Sequence, residues 1–276
     1  MSWKPLGAVL PGTLAEARVE LHWAAQLVSA AGTCLLSATD DFSHTNLSWL
    51  KGLGVLAGRP VGESSLRAAL VFEALELVVL DGERERGSLR LAGHTIEDAI
   101  GWLTEALGAP EGSLSLPQHD MPDHAVGRGV AFSGAHADPR RELAAWFDDA
   151  SRVIGAIVAD EDDAAPVRVW PHHFDVASLL TFDEAADPET ARSIGIGFSP
   201  GDGSYDQPYF YANPWPYPDA SKLPALEAGA HWHTEGWTGA VVKAEAVISV
   251  SHGRQHDYIA NALEEAVEAG RRLLAV

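Results

Sequence analysis

A single cysteine, Cys34, is all the chain has, which excludes an intramolecular disulfide and a thiolate-rich metal cluster and fits a reducing, cytoplasmic setting. It sits in the apolar run Cys34-Leu35-Leu36 and reads as a small core residue. Basic residues are scarce too: 19 Lys and Arg face 39 Asp and Glu, a formal net charge of −20 over 276 residues. That field repels phosphate backbones and anionic head groups, which argues against a nucleic-acid or membrane-surface partner. Long apolar runs are missing, since Glu73 and Glu76 interrupt Leu70 to Leu80, so no membrane span is expected. The start of the chain offers one lysine, a short apolar piece from Gly7 to Leu10 and then Pro11, too little for an export signal. What remains, 46% hydrophobic and 21% charged, is the composition of a soluble globular protein.

Periodicity divides the chain. Leu14, Ala17, Leu21, Ala24, Ala25 and Val28 recur at helical spacing, with Thr13 as N-cap and Gly32 as a stop. Strands follow near His44 to Leu50, Gly52 to Leu56 and Leu66 to Leu80, the last closed by an Asp81-Gly82 turn, with a short strand at Leu89 to Leu91. Thr95 caps a second helix through Leu107, with Asp98 three residues on as an imperfect capping box and Gly108 ending it. Leu114 to Leu116 reads as one more strand. Residues 118–139, rich in His, Gly, Pro and Asp, lack periodicity and read as a linker or long loop. Beyond them come a helix from Arg140 to Val158, strands at Val167 to Phe182, Ser193 to Ser199, Tyr209 to Ala212 and Trp237 to Val250, and a helix from Asp257 to Leu274.

Both halves, residues 1–117 and 140–276, thus run helix, strands, helix. Short segments repeat: Glu20-Leu21 with Trp23 against Glu142-Leu143 with Trp146, His44-Thr45-Asn46-Leu47 against His173-Phe174-Asp175-Val176, and His94-Thr95-Ile96 against His256-Asp257-Tyr258. We read an internal duplication of an α+β unit with mostly antiparallel strands flanked by helices.

The densest chemistry lies between Pro166 and Trp237. Read with period two, His173 and Asp175 share one face while Phe174, Val176, Leu180 and Phe182 take the other; Gly195 and Gly197 oppose Ile194, Ile196 and Phe198. Tyr209, Tyr211 and Asn213 share a parity, as do His231, His233 and Glu235. These residues, with Trp215, would line an aromatic small-molecule pocket in the second half over a glycine floor formed by Gly195 and Gly197. His173 beside Asp175 is the acid/base candidate. The alternative is a metal-assisted hydrolase in which His173, Asp175, His231 and His233 hold a divalent zinc or iron ion. A third reading is a non-catalytic assembly module whose aromatic strands pack in a homodimer. The sequence by itself requires no cofactor.

Gly197-Phe198-Ser199-Pro200-Gly201 matches the nucleophile elbow of serine hydrolases. However, Pro200 lacks the N–H owed to an oxyanion hole, and a loop composition follows where a helix is needed, so a Gly/Pro hairpin is preferred. The same glycines do not complete a dinucleotide-binding fingerprint.

Phe174-Asp175-Val176-Ala177, Gly197-Phe198-Ser199-Pro200-Gly201 and Tyr209-Phe210-Tyr211 with Pro214 and Pro216 resemble the bacterial domain-of-unknown-function family numbered five-nine-nine-six. The likeness extends to Leu21-His22-Trp23 with Gln26 in the first helix. It implies a single-unit architecture and brings no activity, cofactor or catalytic residue. Around His231-Trp232-His233 the family pattern has aromatic residues with an acid, so the histidine pair departs from it.

Overall fold

A computed structural model describes residues 3–62, 65–159, 161–183 and 190–276. Among them are five α-helices and eleven strands in two antiparallel sheets, an α+β fold with helices packed on the sheets. No helix among the described residues is long and apolar enough to cross a membrane. The chain divides into an N-terminal unit, residues 13–144 with 168–174, and a C-terminal unit, residues 1–12, 145–167 and 175–276.

In the N-terminal unit, helix α1 (Ala15–Leu35) is followed by β1 (Ser48–Leu50), β2 (Val55–Ala57), β3 (Leu66–Val71), β4 (Glu76–Asp81) and β5 (Arg84–Arg90), a meander in sequence order, then α2 (Ile96–Leu107). Thr95 and Asp98 form a fully reciprocal capping box, better than the imperfect one their sequence suggests, and Gly108 closes α2 in the left-handed conformation. Gly32 does not stop α1. A Cβ there would lie 2.3 Å from the His44 carbonyl oxygen, so the glycine admits a close chain crossing while the helix runs on to Leu35. Thr13 is not its cap either, since Leu14 holds that position without a side-chain bond. The run from Leu66 to Leu80 is a hairpin, β3 to β4, reversed around Leu75 at φ 48°; no glycine or asparagine marks that turn. Leu114 to Leu116 forms no strand. Cys34 is half-buried, its Sγ 3.5 Å from the Ser115 carbonyl.

Residues 118–136 are a long loop docked on the N-terminal unit rather than a free linker, and α3 already begins at Ala137. Phe132 and Val126 are buried, Ala92 and Phe132 form a parallel bridge, and the Trp23 indole donates to the Pro122 carbonyl. Gly127 makes room for that indole, since a Cβ would meet Trp23 at 2.3 Å.

Helix α3 (Ala137–Ile157) begins in the N-terminal unit, where Arg140 and Glu20 form a buried ion pair at 3.5 Å. Like α1 it has 21 residues, and Glu20 and Glu142 each occupy the sixth position. The strand β6 (Arg168–Trp170) bridges Leu47 through Val169. The remaining repeated segments differ in setting: His94-Thr95-Ile96 opens α2, whereas His256-Asp257-Tyr258 lies inside the last helix.

The C-terminal unit contains β7 (Asp175–Thr181), β8 (Ser193–Ser199), β9 (Tyr209–Trp215), β10 (His231–His233), β11 (Gly239–Lys243), α4 (Ala244–Ser249) and α5 (His252–Leu274). Its strand order is β10-β11-β9-β8-β7. The apolar run after Trp237 leaves the sheet at Lys243 and turns into α4 rather than continuing as strand to Val250. Trp146 and Phe147, on the second half of α3, pack on Phe198, and Trp146 also meets Phe210; Gly270 of α5 lets Ile194 and Pro214 approach. One face of the sheet, carrying Val176, Ile194, Ile196, Phe198, Phe210 and Ala212, therefore forms the core against helices. Residues 3–12 belong here: Leu6 exchanges two backbone hydrogen bonds with the buried Gln255 side chain, and the Lys4 N–H donates to Asp149.

Candidate functional site

The register of the C-terminal sheet fixes what stands on its other face. Ala177, Gly197, Tyr211, Val241 and His231 lie in one cross-strand row; Ser199, Tyr209 and Lys243 form the next, and Leu179, Gly195 and Asn213 the row on the far side. Period two at strand spacing therefore places Asp175, Tyr209, Tyr211, Asn213, His231 and His233 on a single face, as the sequence suggests.

Two carboxylate–phenol pairs sit at its centre. Asp175 accepts a short hydrogen bond from the Tyr211 hydroxyl, and Asp202 accepts one from Tyr209 at 2.5 Å. Burial, then the neighbouring Asp175, pushes the Tyr211 phenol well above its ordinary pKa. Burial and then Asp202 do the same to Tyr209, so both rings stay protonated and donate. Asp202 also accepts from the backbone N–H groups of Ser204 and Tyr205, which fixes the loop after β8.

That loop delivers Tyr205, which sequence reasoning passes over because it lies in no periodic run. Its hydroxyl lies 3.2 Å from His231 Nε2 and 3.0 Å from His233 Nδ1, while His233 Nε2 meets the Glu235 carbonyl at 2.8 Å. A carbonyl only accepts, so His233 Nε2 carries a proton towards Glu235, and the Tyr205 hydroxyl bridges the two imidazoles. The result is a hydrogen-bonded relay that joins His231, Tyr205 and His233. Burial, followed by Lys243 and His233, lowers the His231 pKa and favours the neutral ring. Trp237 closes the group, 4.4 Å from the His233 ring and within ring contact of Tyr209 and Tyr211.

The glycine floor is not open. A Cβ on Gly197 would lie 2.3 Å from Tyr211 Cζ, and one on Gly195 would lie 2.4 Å from Asn213 Oδ1. The space belongs to side chains of the adjacent strand, the arrangement in which a ring covers a cross-strand glycine. Trp215 is not part of the group and packs edge-on against Tyr217. Ser199 ends β8 in a hairpin, with its Oγ accepting from Gly201 N–H, as preferred over a nucleophile elbow.

His173 is a correction. It does not share a strand face with Asp175: β7 begins only at Asp175, and the residues before it form a turn in which Phe174 adopts φ 60° and donates to the Trp170 carbonyl at 2.7 Å. The left-handed residue breaks the alternation, although Phe174 is buried as expected. His173 belongs to the N-terminal unit, its ring 4.1 Å from His172, which in turn is 5.7 Å from His119. His22 and Gln26 of α1 both donate to the Pro171 carbonyl, at 2.9 and 2.7 Å, and Gln26 Oε1 accepts from His119 Nδ1 at 2.9 Å. Burial lowers the pKa of His22 and of His172 to about 4, so these two imidazoles are neutral at neutral pH. The proximity of His22 and Gln26 on one turn of α1 was the only sequence signal for it. Among the described residues no group of three or more His, Cys, Asp or Glu side chains is arranged to hold a metal ion; His173, Asp175, His231 and His233 form no such group.

No protein-family model, curated protein or solved structure matches this chain. The resemblance to family five-nine-nine-six therefore rests on its motifs alone.

Proposed function

We propose that the C-terminal unit binds a small polar molecule on the sheet face that carries Asp175, Tyr209, Tyr211, His231 and His233. The supporting observation is the convergence of these side chains from β7, β9 and β10 into one hydrogen-bonded, ring-walled group with Tyr205 and Trp237. Proteins place few fixed polar groups among aromatic walls where orientation of a ligand matters. The ligand meets the rim through His231, the exposed end of the relay, and donates to or accepts from it without a change in charge. A thermal-shift screen of small molecules tests this reading with wild type, Asp175→Asn and His231→Ala. A ligand that binds only the native state raises its stability, by about 2.7 kcal/mol at a hundredfold excess over Kd. Both substitutions are expected to reduce that shift. Compounds that stabilise all three proteins equally would remove the site.

A further inference from the structure

We propose a separate site in the N-terminal unit, for a small organic carboxylate with an apolar body, in the cleft where the β1–β2 and β4–β5 turns meet β3. The cleft holds about 450 Å³, within the range of pockets that enclose small ligands. Trp49, Leu50 and Leu53 give it apolar walls, Lys51 and Arg67 supply positive charge, and Glu83 stands at the rim. Among the described residues that line it, two cations face one acid, a local positive surplus in a chain whose formal net charge is −20.

Arg67 decides the chemistry. By register it stands on the same side of β3 as Ala69 and Val71, so its stem borders the apolar cluster of Val55, Ala57, Ala69, Val78 and Leu80. Its Nε is shut off from water and has no hydrogen-bond partner among the described residues. A carboxylate answers a guanidinium better than any neutral group, and in the cleft it meets Arg67 at the Nη groups, since Nε is closed to a ligand as it is to water. Asp81, the acid on the neighbouring strand, is already engaged by Ser65 and Arg86. Lys51 makes no ion pair among the described residues and can neutralise the second carboxylate oxygen. Leu53 is 42% exposed at the mouth, where the ligand's apolar body would cover it.

Titration of the full chain with 1-naphthaleneacetate, read by tryptophan fluorescence and calorimetry, tests the site; 1-naphthaleneacetamide has the same body without the charge. Saturable binding of one equivalent is expected, with the acid favoured over the amide by about tenfold or more. Arg67→Met should erase that preference. Leu53→Glu alters a half-exposed turn residue and puts a like charge at the mouth, so it decides the matter if Arg67→Met does not fold; about tenfold weaker binding is expected. His231→Ala, in the other unit, should leave the affinity unchanged. Equal affinity for acid and amide, unaltered binding by Leu53→Glu, or loss of binding in His231→Ala would each overturn the proposal.

Discussion

At the scale of single residues, the glycines of β8 show why pattern and purpose differ. Gly195 and Gly197 announce a close approach in the sequence, and the approach is there, but what approaches is Asn213 and Tyr211 of the same sheet. Gly197→Ala therefore meets a half-buried ring whose hydroxyl is committed to Asp175, and overpacking of this kind costs about 1–3 kcal/mol. In a Tyr211→Ala background the same change has no ring to displace. Denaturant melts of the double-mutant cycle should show that the two changes are strongly coupled. Additive costs would mean that Tyr211 does not occupy the glycine's space. Such a pairing is invisible in one strand read alone, because cross-strand register is needed to know which side chain faces a glycine.

Elements were more legible where their ends carry local chemistry. The Thr95–Asp98 box and Gly108 mark α2 at both ends, since capping residues bond within a few positions of themselves. The β3–β4 reversal carries no such mark, for Leu75 takes a positive φ without being glycine or asparagine. Two helical glycines make the contrast measurable. Gly101 of α2 is exposed and a Cβ there meets nothing within 4 Å, so Gly101→Ala should stabilise by about 0.5–1 kcal/mol through helix propensity. Gly32 of α1 faces the His44 backbone at 2.3 Å, and Gly32→Ala should destabilise, because backbone cannot swing aside as a flexible side chain can. Thermal melts giving both substitutions the same sign would contradict the packing of α1. The candidate site was partly legible for the same reason: parity within β9 and β10 is local. The role of His173 was not, since one left-handed residue at Phe174 resets the alternation on which it depended.

Across the whole molecule, the two units repeat the order helix, antiparallel strands, helix, yet burial shifts histidines in one and a carboxylate in the other. In the N-terminal unit burial lowers His22 and His172 from 6.5 to about 4. The unfolded chain binds their protons first as pH falls, so the stability they contribute is present above about pH 6.5 and is lost towards pH 4. In the C-terminal unit Asp149 is pushed up from 3.8 to about 7, chiefly by burial and against the opposing Lys4 N–H bond, with Asp148 adding to the rise and Arg152 opposing it. Here the folded state holds the proton longer, so stability is full below about pH 4 and declines as pH rises through 7. Between pH 5 and 7 these contributions change in opposite directions. Hydrogen exchange, corrected for the intrinsic rate, should show α1 losing protection on acidification across that window while α5 and the second half of α3 gain it. Asp149→Asn should flatten the response of the C-terminal unit alone, and His22→Gln should flatten part of the N-terminal one. If α1 and α5 instead gain and lose protection together at every pH, the two units open as one cooperative body and the buried groups do not act separately.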